Sequence, residues 1–390
     1  MTAVSTDPRA APLAASPTAR QIASRRAIAL WLSGICGLLF VMIVIGGLTR
    51  LTDSGLSIVE WRPVTGTIPP LSEAQWLVEL EKYRTTHEYQ MQNRGMSLEE
   101  FKVIYWWEWG HRFFGRLIGI AFAIPFLVFR FTRRIEPALM PRLVLMFALG
   151  GLQGAVGWWM VASGLSARLD VSQYRLAMHL GMAFAIFGFI LWTALALFRT
   201  APGSAVAPPA RTDPRLAALL PWSLAFAALI FVQIILGAFV AGTDSGFTYN
   251  TWPLMDGQFI PNGLFNFDPP WLAFFELPTM IQFQHRMVAY AIAGASIVLW
   301  WATLRATPIP RVRLMAHALL ACVLAQVALG IWTLLAIVPT ELAAAHQAMA
   351  VVLLGLALAL AFELRWHGLG APRFLPVAPA RGSAQAAASA

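Results

Sequence analysis

Apolar residues along this chain gather into long runs, each roughly 19 to 25 residues, separated by polar stretches rich in Arg, Pro or Gly. A helix of about that length crosses the ~30 Å hydrocarbon layer of a bilayer. The pattern therefore predicts eight membrane-spanning helices, near residues 28–48, 113–131, 143–162, 175–198, 217–241, 286–304, 314–335 and 342–364. Between the first two spans lies a long connection, 50–110, carrying Trp61, Pro63, Pro69 and Pro70 and then a charged helical stretch near 72–102. A second long connection, 242–284, is rich in aromatic residues, Gly and Pro. Loops of this length usually carry function or cover it.

The segment RTAPGSAVAPPARTDPRL at 199–216 divides the spans into two sets of four, and the sets match. The first span ends in GGLTRLTDSGLS (46–57) and the fifth in GAFVAGTDSGFT (237–248). EWGHR (108–112) opens the second span and QFQHR (282–286) the sixth. QGAVGWW (153–159) in the third corresponds to QVALGIW (326–332) in the seventh, and RLAMHLGMA (175–183) in the fourth to LAAAHQAMA (342–350) in the eighth. Four landmarks in one order, each at one place in its span, mark a duplication. Because four is even, both copies start from the same side of the membrane, which makes the repeat parallel. The predicted fold is all-α: a polytopic membrane protein of eight transmembrane helices in two four-helix bundles. Its parts are a leader over 1–26, halves over 27–198 and 217–366, the linker between them, and a tail over 367–390.

Composition agrees, with 58% hydrophobic and 12% charged residues and a mean hydropathy of +0.65, outside the range of soluble domains. A net charge of +9 raises nucleic acid as a partner, but the charges follow the membrane. Arg9, Arg20, Arg25 and Arg26 precede the first span, and Arg130, Arg133, Arg134 and Arg142 lie between the second and third. Arg199, Arg211 and Arg215 join the fourth to the fifth, Arg305, Arg311 and Arg313 the sixth to the seventh, and Arg365, Arg373 and Arg381 end the chain. Every second connection is Arg-loaded, which places both termini on the cytoplasmic side and selects lipid over nucleic acid. The first span is too long for a signal peptide and no cleavage site follows it, so it reads as an anchor. The short leader favours a bacterial inner membrane over an organelle. Cys36 and Cys322 both fall inside spans, as small packing residues.

Four of the seven histidines, His111, His179, His285 and His346, occupy repeated positions at the outer ends of the second, fourth, sixth and eighth spans. Each half thus offers two imidazoles at one depth on two helices of the same direction, which is what bis-histidine heme ligation in a four-helix bundle requires. A single histidine at a helix end is more often an interfacial hydrogen-bonding group. Two pairs at equivalent intramembrane positions favour a cofactor. Zinc or copper competes, yet structural zinc asks for four ligands, often thiolates, and no cysteine lies near. Gly110, Gly115, Gly119, Gly150, Gly151, Gly154 and Gly157 allow close approach of a ring or a helix. Arg112 and Arg286 follow their histidines and either snorkel to headgroups or pair with a heme propionate. Gln153 and Gln326 read as interhelical hydrogen-bonding groups, and the Asp-Ser-Gly motifs at 53–55 and 244–246 as turns. His87, His317 and His367 have no counterparts and stay unassigned.

The informative difference between the copies is Glu108, three residues before His111, where Gln282 precedes His285. Residues three apart share a helix face, so one half sets an acid beside its imidazole and the other a neutral amide. A carboxylate starting a helix can simply favour the dipole. Near an apolar edge it can also move protons near neutrality. The contrast with Gln282 favours the chemical role, with one heme altered in the first half and one carrying electrons in the second.

Taken together, Glu-x-x-His-Arg at 108–112, His179, His285-Arg286 and His346 on eight spans in two halves resemble the heme A synthase family of proteobacteria and mitochondria, over about residues 27 to 366. The resemblance implies oxidation of the C8 methyl of heme O to a formyl group, giving heme A for cytochrome c oxidase. It implies heme b as cofactor, held by His285 and His346, with heme O between His111 and His179 and Glu108 as an essential acid. A farnesyltransferase forming heme O and an external electron acceptor are the implied partners. Some members carry a cysteine pair in an outer loop, and this chain has none there. A di-heme b electron-transfer cytochrome and a parallel-repeat transporter with histidine proton sites are the rival readings.

Overall fold

The structure, a computed structural model, describes residues 17–165, 170–203, 212–372 and 374–375. Arg9, Arg211, Arg373 and Arg381 fall outside these. Eleven α-helices follow one another among the described residues, and eight of them are long and apolar enough to cross a membrane. The eight are α1 (Ala19–Leu51), α4 (Leu98–Phe131), α5 (Met140–Gly164), α6 (Gln173–Thr200), α7 (Pro214–Gly242), α9 (Pro278–Ala306), α10 (Pro310–Leu335) and α11 (Thr340–Leu369). The short α2 (Glu73–Arg84) and α3 (His87–Met91) belong to the first long connection, and α8 (Ala273–Glu276) ends the second.

Each predicted span is a helix, but most run past the apolar stretch because capping residues set their ends. Thr18 and Gln21 form a capping box that starts α1 at Ala19, inside the expected leader. Ser97 and Glu100 do the same for α4, which begins at Leu98 where the hydropathy pattern suggests 113. Pro278 at the first turn opens α9 ahead of the expected 286. His111 and His285 therefore sit well inside their helices. His367 belongs to α11 and not to a tail.

Helices α1, α4, α5 and α6 pack as one group and α7, α9, α10 and α11 as another, with α1 and α6 meeting α7 and α11 across the middle. Leu32, Phe184, Ile190 and Leu197 share the central core with Ile230, Val351, Leu360 and Trp366. The groups differ on their outer sides. α9 and α10 pack closely and bring Ile292, Leu299, Leu319 and Val323 into the core, whereas α4 and α5 touch sparsely. A side chain on Gly110, Gly119, Gly150, Gly151 or Gly154 of that sparse pair would meet nothing within 4 Å.

Buried ion pairs lock the basic side. Arg25 makes a bidentate contact to Glu136 at 2.6 and 2.8 Å and donates to the carbonyl of Thr200, joining α1, the α4–α5 turn and the end of α6. Arg199 of α6 and Arg311 of α10 both donate to Glu363 of α11. Removing one member of such a pair leaves a buried charge alone, at roughly 3–5 kcal/mol. On the opposite side the two Thr-Asp-Ser-Gly motifs make the same turn, with Asp53 and Asp244 at φ 46° and 50°. Arg50 reaches both carboxylates, Asp53 at 2.8 Å and Asp244 at 3.3 Å, and so ties the halves together there.

The first long connection folds over α4 through Trp76, Leu80, Tyr83, Phe101 and Tyr105. Glu88 of α3 is buried beneath it, 3% exposed, accepting from the Tyr83 hydroxyl at 3.0 Å while Asn93 donates to the same hydroxyl at 2.7 Å. Burial pushes the Glu88 carboxyl up to about 8, against the lowering effect of Tyr83. Between 4.5 and about 8 the folded cap holds a proton that the unfolded chain has released, so cap stability falls as pH rises through that window and levels off above it. Hydrogen exchange of residues 73–96 is expected to show protection dropping roughly tenfold or more from pH 5 to 8 relative to Glu88→Gln, since each pKa unit carries about 1.4 kcal/mol. Parallel pH profiles for the two proteins would contradict this.

Candidate functional site

Helices α4, α6, α9 and α11 carry the four repeated histidines, and each ring lies against a glycine of a neighbouring helix. A methyl built on Gly46 of α1 would come within 3.1 Å of His111, and one on Gly237 of α7 within 3.3 Å of His285. On Gly157 of α5 and Gly330 of α10 the distances to His179 and His346 are 2.8 Å each. Close approach of an imidazole is what these glycines provide. The four rings are half-buried.

A glutamine stands one turn before three of these glycines. Gln153 donates to the His179 carbonyl at 2.9 Å and lies 3.2 Å from its Nδ1. Gln326 donates to the His346 carbonyl at 3.0 Å, with the ring 3.4 Å away. Gln233 donates to the His285 carbonyl at 2.9 Å and sits 3.2 Å from both ring nitrogens. In all three the amide Oε1 is buried without a partner, as is Nδ1 of His346. It is the amide nitrogen, a donor only, that faces each histidine, where it ties the ring and its backbone carbonyl to the neighbouring helix. Two imidazoles in each half, each backed by a glycine and three of the four steadied by a glutamine, fit histidines that could hold a heme iron. Gln153 and Gln326 are interhelical as expected, and both also hold the imidazole helices. Gln233 escaped the sequence comparison, although Gln-x-x-x-Gly recurs at 153–157, 233–237 and 326–330. Among the described residues no group of three or more His, Cys, Asp or Glu gathers as a metal site, so zinc or copper finds no cluster there.

Glu108 and Gln282 do equivalent jobs with opposite hydrogen-bond polarity. Glu108 is 2% exposed and accepts from the Ser57 hydroxyl and the Ile58 amide, each at 2.7 Å, and from Arg112. Gln282 donates to the carbonyls of Tyr249 at 3.1 Å and Gly246 at 3.4 Å. Arg112 also donates to the carbonyls of Ile58 and Glu60, at 2.8 and 2.9 Å. Arg286 donates to those of Tyr249 and Thr251 at the same distances. Both guanidiniums therefore pin an outer loop above a histidine, a role neither snorkelling nor propionate pairing anticipates. Nε of Arg286 remains buried and unpartnered. Of the unassigned histidines, His317 accepts from Trp300 at 2.9 Å and His367 lies 3.8 Å from Glu363, both away from the four rings. Cys36 and Cys322 are free and buried.

A family model described as a cytochrome oxidase assembly protein matches residues 29–358. Proteins named heme A synthase are similar over most of the chain. That of Parvibaculum lavamentivorans is 52% identical over 345 residues, 88% of this chain and 94% of the relative. That of Rhodospirillum centenum is 50% identical over 91% of each chain. That of Nitrosospira multiformis is 48% identical over 89% of this chain and 96% of its own.

Proposed function

The chain belongs to the COX15-CtaA family of cytochrome oxidase assembly proteins and works in heme A biosynthesis as a heme A synthase, and from that premise we propose how its two halves divide the reaction. The amino-terminal half takes heme O between His111 and His179, and the carboxy-terminal half keeps heme b between His285 and His346. The observation that carries this reading is the recurrence of a histidine seated on a glycine, with a glutamine amide holding three of the four.

The reaction is an oxidation at a CH group. Two successive hydroxylations take the C8 methyl to a geminal diol, which loses water to give the formyl group. Relative to water as the formal oxygen source, four electrons and four protons leave the substrate. Glu108, sharing a face with His111, is the group that manages those protons. Its carboxylate is held by Ser57, the Ile58 amide and Arg112, so its position is set before substrate arrives. In the other half Gln282 fills the place with an amide that has no proton to lose at neutrality. Bound heme b supplies one-electron transfer toward an external acceptor. Arg286 belongs to the cofactor side, pinning residues 249–251 and offering its free Nε as a donor to a propionate.

The sparse α4–α5 contact suits a half that must admit and release a bulky substrate, and the closed α9–α10 contact suits a resident cofactor. The enzyme sits in a bacterial inner membrane with both termini cytoplasmic and the sites near the outer face, supplied by the farnesyltransferase that forms heme O. Coexpression with that transferase in a host lacking heme A tests the reading. Extracts are expected to contain heme A and the hydroxymethyl intermediate. Extracts holding heme B and unaltered heme O would indicate an electron-transfer cytochrome, and a colourless protein would indicate a transporter.

A further inference from the structure

Four helices present a residue one turn before the glycine that seats a histidine, and one of the four breaks the pattern. Gln153, Gln233 and Gln326 precede Gly157, Gly237 and Gly330, whereas Met42 precedes Gly46. The register is secure because Gly46 lies against the His111 ring and Gly237 against the His285 ring. The Met42 methyl lies against α4, 3.4 Å from where a side chain on Gly115 would begin, one turn along from His111. It cannot donate to the His111 carbonyl or to its ring as an amide nitrogen does. Among the described residues no side chain hydrogen-bonds His111, while each of the other three imidazole helices is gripped by a glutamine.

We infer that Met42 makes His111 the releasable ligand of the substrate heme, so that product leaves from the His111 side while His179, held by Gln153, stays in place. The inference rests on the proposed heme ligation and extends it to ligand exchange. The physical basis is outer-shell support: each of the three amides donates to the histidine carbonyl and lies against the ring, which fixes the orientation of an imidazole that holds a metal, and loss of such support weakens binding about 10- to 100-fold. Three glutamines build that support where a heme is to stay, or where one side of it is to stay, and a thioether omits it where one must go. The sparse α4–α5 side of the same half gives the released macrocycle more room than the packed α9–α10 side would.

The test is the rate at which the purified holoprotein, reconstituted with heme A, gives up each heme to excess apomyoglobin. Met42→Gln is expected to slow loss of heme A by about 10- to 100-fold, leaving loss of heme b unchanged. Gln233→Met is expected to speed loss of heme b by a similar factor. A Met42→Gln protein that releases heme A at the parent rate overturns the inference. Should that variant not assemble, Gln233→Met decides alone, since an unchanged heme b rate there removes the premise that the amide grips the ligand. Failure of the ligation reading itself looks different: the parent protein would then hold no heme for either variant to retain or lose.

Discussion

Glu108→Gln is expected to cut heme A formation by about 10²–10⁴-fold, the usual worth of a positioned general acid or base. The replacement copies what the second half already carries at Gln282, so the fold tolerates an amide at this point of an equivalent helix. The local match is imperfect, because Ser57, the Ile58 amide and Arg112 all donate to Glu108, and an amide offers them a single oxygen. Ser57→Ala separates the two effects. It removes one of the three donors and keeps the acid, and activity is expected to fall far less than in Glu108→Gln. Both proteins should retain the optical spectrum of the resident heme, which checks that the second half stays assembled. Heme A production at the parent rate in Glu108→Gln would show that the carboxylate serves only to anchor residues 57–58.

Replacing either histidine of one pair by alanine is expected to remove the heme of that half alone. An axial imidazole is the main covalent hold on the iron, and each ring is seated against a glycine of a neighbouring helix. His285→Ala and His346→Ala should therefore lose heme b and stop turnover, because electrons have no route out. His111→Ala and His179→Ala should keep heme b and fail to retain heme O or heme A. The halves share a buried core through α1, α6, α7 and α11, so the variants need a check that both halves stay folded. The buried Arg25–Glu136 and Arg199–Glu363 pairs lie far from the imidazoles along their helices and should keep the basic side locked in all four.

Much of this was legible in residue order, for physical reasons. A span announces itself by the length of hydrocarbon it must cross, so eight runs became eight helices. Their outer ends were not legible from hydropathy, since α4 and α9 continue into polar surroundings on the strength of Ser97 with Glu100 and of Pro278. The histidines stood out because duplication made each one a witness for another. The same comparison hid Gln233, whose counterpart is Met42, so the two positions showed no likeness to notice. Glu136 and Glu363 carry no motif or repeat that would mark them. Their partners Arg25 and Arg199 are 111 and 164 residues away, distances no local pattern spans. Arg112 and Arg286 were visible as a repeated feature, but their hydrogen bonds run to backbone carbonyls of the loops, which carry no signature in side-chain identity.

The most direct measurement is chromatography of the pigments extracted from purified parent protein and from the four histidine variants, made in cells that supply heme O. The expected outcome is two separable losses: heme B absent in His285→Ala and His346→Ala, and heme O and heme A absent in His111→Ala and His179→Ala with heme B intact. Four extracts identical to the parent, or the same single pigment lost from all four, would contradict two hemes held by two separate pairs of imidazoles.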